Sequence, residues 1–130
     1  MKKFIVLSLG LFFSLAAMSQ AVVKFEKDSH DFGKIEKNGL ANYDFVFTNT
    51  GDSALVISSV KASCGCTSPT WTKEPVQPGQ SGVITVKYTT TSRVGTFNKS
   101  VTVNSNSRPD NVKRLNIRGE IIDSNATAAQ

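Results

Sequence analysis

Cys64 and Cys66, separated by Gly65 alone, are the side chains of this sequence best suited to chemistry. A thiolate is both a nucleophile and a soft metal ligand. The pair therefore admits three fates: a disulfide with each other, a thiol catalyst, or a site for a soft ion such as Cu(I). A thiol catalyst needs a base beside the sulfur, and the chain holds one histidine, His30, followed by Asp31. Neither cysteine sits at a strand-to-helix elbow, and no helix is predicted that would lower a thiol pKa. His30 therefore reads as a residue that caps or ends a strand. A structural tetrahedral zinc takes four ligands, more than two thiolates and one imidazole supply. Met18 could join them only while residues 1–19 remain attached. The carboxylates Asp28, Asp31, Glu36, Asp44 and Glu74 fall mostly in turns or on outward faces, and no glycine loop suits a phosphate. The sequence is read as a non-enzyme without a cofactor. The rival is a copper or redox protein acting through Cys64 and Cys66, with His30 as a third ligand.

The spacing of the two cysteines sets their geometry. In an extended strand, residues two apart point the same way, with Cα atoms roughly 6.5–7 Å apart. That lies at or beyond the upper limit for an unstrained disulfide. A bend at Gly65, of a kind closed to other residues, would bring the sulfurs together. An oxidising compartment favours the bond, and burial of small thiols favours leaving it unmade. The local bond is the expectation, and buried free thiols are the standing alternative. Trp71 follows in the same loop, beside Pro69 and Pro75, either as an anchor for a partner or folded back over the core. One tryptophan and two tyrosines are few for stacking on sugar rings. Ser53, in Asp52-Ser53-Ala54, looks like the acceptor for O-glycosylation found on exported proteins of some bacteria.

The elements that position these residues begin after a leader. Lys2 and Lys3 precede an apolar run from Phe4 to Ala17, and Ala17-Met18-Ser19 places small residues where a signal peptidase inspects them. Cleavage is expected between Ser19 and Gln20. The run is short for a spanning helix, which needs about 20 apolar residues, so no membrane span is expected afterwards. Two of the fifteen positive charges leave with the leader, and the rest are scattered. Scattered charge reads as a solvated surface, not a nucleic-acid stripe.

Residues 20–122 alternate strand-like runs with turn signals. Tyr43, Phe45 and Phe47 form one row, as do Ile84, Val86 and Tyr88. Phe97, Val101 and Val103 form another, and so do Leu115, Ile117 and Ile121. Asn38-Gly39, Asn49 to Ser53 and Pro78-Gly79 punctuate them as turns. Residues 62–82 read as one long loop, and residues 123–130 as a disordered tail. Short strands at such spacing predict an all-β, immunoglobulin-like antiparallel sandwich of about seven strands. The cysteines are too close in sequence to bridge two sheets in the antibody manner.

Asp31-Phe32-Gly33-Lys34-Ile35, Phe47-Thr48-Asn49-Thr50-Gly51-Asp52, Leu55-Val56-Ile57, Ala62-Ser63-Cys64-Gly65-Cys66-Thr67, Pro78-Gly79 and Ser105-Asn106 occur in this order. The sequence thereby resembles the exported bacterial domain of unknown function numbered fifteen seventy-three. That family is similar in turn to immunoglobulin-like domains of the abnormal-spindle and Hydin type. The resemblance implies the fold and export, and it supplies no reaction or ligand. The expected protein is an exported, periplasmic or extracellular module with a structural or protein-interaction role. Its expected partner is another envelope or extracellular protein.

Overall fold

Alternation of apolar and polar side chains gives each strand one face to bury, and two such faces make a sandwich. The computed structural model describes residues 10, 18–90 and 93–124. In chain order the strands are β1 (Val23–Phe25), β2 (Ser29–Glu36), β3 (Leu40–Asn49), β4 (Ile57–Ala62), β5 (Thr67–Trp71), β6 (Ser81–Thr89), β7 (Gly95–Ser105) and β8 (Val112–Ile122). They form two four-stranded sheets, ordered β1-β3-β6-β5 and β2-β8-β7-β4. This is the immunoglobulin-like sandwich expected from the sequence, with eight strands in place of about seven.

The additional strand, β5, lies inside the stretch read as a loop. Its sequence Thr-Ser-Pro-Thr-Trp has a weak apolar row and an internal proline, which masks a strand from pattern reading. Proline is tolerated there because β5 is an edge strand. A second difference concerns β2, which pairs with β8 in parallel, with a register shift between Asp31 and Lys34. The other strand pairs are antiparallel.

The core joins the inner rows of both sheets: Phe45, Phe47, Ile84, Val86 and Tyr88 from one, and Phe97, Val101, Val103, Leu115, Ile117 and Ile121 from the other. Tyr88 and Phe97 stack across the interior with centroids 4.1 Å apart. Tyr43, at the end of its row, is only half-buried. The expected leader lies outside the described residues except for Gly10, Met18 and Ser19. Of the expected tail, Asp123 and Ser124 are described, and Asp123 forms an ion pair with Lys37 at 2.7 Å. Among the described residues no helix is long and apolar enough to cross a membrane.

Candidate functional site

The chain changes sheets between β4 and β5, and it does so in the four residues that contain both cysteines. β4 and β5 are edge strands of opposite sheets, so this link closes one side of the sandwich. Ser63 N–H donates to Ser100 O at 2.9 Å, extending the β4–β7 ladder one residue past Ala62. Thr67 N–H then donates to Cys64 O at 3.3 Å, closing a turn, and Thr89 N–H donates to Cys66 O at 3.0 Å. Within that turn Cys64 and Cys66 are bonded to each other, with Cα atoms 5.4 Å apart. The Cys64 sulfur lies 3.6 Å from Thr67 Oγ1, and Cys66 is half-buried against the core.

The bend differs from the one expected. Gly65 has no positive φ, and a Cβ added to it would meet nothing within 4 Å. The turn, not a glycine-only conformation, shortens the distance between the two cysteines.

Trp71 ends β5, half-buried and packed on the core, with the Lys73 ammonium 2.9 Å from its ring centroid. One part of the side chain covers the core, as one of the two sequence readings has it, and the rest lies beneath a cation. Ladder bonds fix how the β5 backbone is turned. Cys66 and Thr72 bond to Thr89 and Val83 of β6, so by alternation Ser68 and Thr70 also face β6. Thr67, Pro69 and Trp71 face outward. Thr67 N–H is already used in the turn, and Pro69 has no N–H to offer.

His30 is elsewhere. It lies on β2, the opposite edge of the sheet from β4, with β8 and β7 between them. Three strand spacings put about 14 Å between those edges, beyond any contact of imidazole with either sulfur. The His30 ring stacks on Tyr43 with centroids 3.7 Å apart and meets Phe32 edge-on at 4.7 Å. Burial and the neighbouring Lys27 charge lower its pKa below 6.5, with Asp31 opposing in part. Neutral imidazole is thus favoured in an aromatic rim. Among the described residues no three side chains of His, Cys, Asp or Glu converge on a metal position.

Asp31 builds the β2 irregularity. Its Oδ1 accepts from Gly33 N–H at 2.8 Å, and its Oδ2 from Arg118 Nε at 3.3 Å. The Gly33 N–H first, then the Arg118 guanidinium, hold its carboxyl below the usual range. An open groove of about 750 Å³ runs over this bulge, lined by Asp31, Lys34, Phe97, Asn98, Arg118 and Glu120 among others. It takes in none of His30, the cysteines or Trp71.

Ser53 is half-buried, and its N–H donates to Gln20 O at 3.3 Å. Beside it lies Asn49, a residue that pattern reading placed in a turn and gave no role. Asn49 is fully buried. Its amide donates to Ser53 O and Val76 O at 2.7 and 2.9 Å and accepts from Gly51 N–H and Val22 N–H at 3.0 and 3.3 Å. The Asn-Thr-Gly-Asp run was the signal available for it.

Three solved structures locate this architecture. A protein of unknown function from Porphyromonas gingivalis W83 is 14% identical, with a TM-score of 0.70 over 85% of this chain and 51% of that one. This chain thus spans about half of that protein. The ASH / PapD-like domain 7 of human CEP192 is 10% identical, with a TM-score of 0.66 over 94% of this chain and 99% of that domain. The secreted serine protease VesC of Vibrio cholerae is 12% identical, with a TM-score of 0.59 over 78% of this chain and only 23% of the protease. At these identities the likeness is one of fold. No curated protein matches the chain. The model of one sequence family, described as protein of unknown function (DUF1573), matches residues 23–121.

Proposed function

The chain belongs to the DUF1573 family, and from that premise we propose that it is an exported, non-catalytic module whose work is structural or protein-binding. The observation that carries the reading is the bond between Cys64 and Cys66 at the sheet crossover. Sulfurs bonded to each other are neither nucleophiles nor thiolate ligands. His30, the one base suited to activate them, stacks on Tyr43 at the far edge. Export is supported by the leader pattern of residues 1–19 and by the disulfide, which suits an oxidising compartment. The module would work in the periplasm or outside the cell, against another envelope or extracellular protein. Trp71 with its Lys73 cation is the contact best suited to that partner, because it joins an aromatic face to a positive charge.

The test is cross-linking in the intact envelope of the native host, followed by mass spectrometry. Wild type and the Cys64→Ser/Cys66→Ser double variant should capture the same partner. Copper bound at one equivalent and lost in the double variant, or a thiol-exchange activity lost with it, would replace this reading with the metal or redox one.

A further inference from the structure

Residues 20–23 are bound to the fold one after another. Gln20 N–H donates to Asp52 Oδ1 at 2.6 Å, and Gln20 O accepts from the N–H groups of Asp52 and Ser53 at 2.9 and 3.3 Å. Ala21 is 2% exposed, bridges in parallel to Ser107 and accepts from Arg108 N–H at 2.9 Å. Val22 O accepts from Thr50 N–H at 2.9 Å, and Val23 N–H donates to Ser107 Oγ at 3.0 Å. The fit at Gly51 is tight enough that an added Cβ would run into Gln20 O and come within 2.7 Å of Val22 N. Among the described residues, Ser19 is held only through its hydroxyl, 3.3 and 3.4 Å from Asp52 O and Oδ1. Among the described residues, backbone bonding to the fold therefore starts at Gln20, the residue after the expected cleavage junction.

We propose that Asp52 is the receptor for the α-ammonium group that cleavage between Ser19 and Gln20 creates. This inference rests on the export reading. In the uncleaved chain, Asp52 accepts one neutral amide N–H and the Ser19 hydroxyl. Cleavage removes the hydroxyl and turns the Gln20 nitrogen into a cation with three donors, already within hydrogen-bond distance of a carboxylate. A neutral-donor bond becomes a charge-assisted one, roughly twice as strong. Processing thus locks the first segment onto the β3–β4 turn, and the ligand class that the Asp52 site takes is a primary ammonium.

The experiment uses the processed protein recovered from the exporting host. Its N terminus is read by mass, and the α-amine is acylated with an amine-reactive ester near neutral pH. A protonated, paired amine is a poor nucleophile. Labelling in folded wild type should therefore be several-fold slower than in Asp52→Asn, and several-fold slower than in wild type unfolded in urea. The urea comparison stands even if the variant fails to fold. Equal rates at a confirmed Gln20 terminus would overturn the ion pair and leave processing intact. A terminus at another residue would overturn the processing step. A mass lower by one ammonia would also overturn the ion pair. There the amine nitrogen has bonded to the Gln20 side-chain carbonyl carbon and ammonia has left, so no cation remains.

Discussion

Asn49 holds four segments with one side-chain amide and its own backbone: residue 22, the turn at 51–53, Val76 and the Gly79–Gln80 turn. Removing a buried partner leaves donors and acceptors that water cannot reach, at about 1–3 kcal/mol each. Asn49→Ala should therefore cost about 2–4 kcal/mol in urea unfolding. Asn49→Asp should cost more, because a carboxylate would face the carbonyls of Ser53 and Val76. A loss under about 0.5 kcal/mol for both would contradict this account of the turn. His30 makes the second prediction at this scale. Its folded-state pKa is depressed, so its contribution is present above its ordinary value of 6.5 and is lost as pH falls through the folded value. Since the chain has one histidine, the drop in melting temperature from pH 7 to pH 5 should shrink in His30→Gln. An unchanged drop would show that His30 does not titrate against the fold.

At the scale of elements, the edges of a sandwich decide what it can pair with, and three of these are blunted by different means. β1 is three residues long, and its Val23 N–H is spent on Ser107. β2 is interrupted by the Asp31–Lys34 bulge. β5 turns Pro69 outward and spends Thr67 N–H in the disulfide turn. Such devices suppress strand-to-strand association. Pro69→Val should restore an outward N–H without touching the β6 ladder, and so raise self-association in sedimentation velocity relative to wild type. An unchanged sedimentation profile at the same concentration would mean that the proline is not what protects this edge. Pattern reading found the rows Phe45/Phe47, Ile84/Val86/Tyr88 and Leu115/Ile117/Ile121 because period two is written locally in each strand. It missed β5 because an edge strand with one proline and one large apolar side chain has little period to show. It also missed the parallel partner of β2, since pairing depends on a strand more than 80 residues away.

For the whole molecule, one core joins two sheets, and the Cys64–Cys66 turn is one of the five links that carry the chain between them. The cysteine pair was legible as a motif, and its redox state was not, because geometry and compartment pulled in opposite directions. Asn49 was legible only in part: the Asn-Thr-Gly-Asp run marks its local bonds to Gly51 and Ser53, whereas Val22 and Val76 each lie 27 residues away. The reading of this protein as a binding module and not a thiol catalyst or copper-thiolate protein turns on whether the sulfurs are bonded to each other in the cell. The direct measurement is to denature the protein from its native source, alkylate it with and without prior reduction, and weigh it. The account predicts no label without reduction and two labels after it. Two labels without reduction would contradict it.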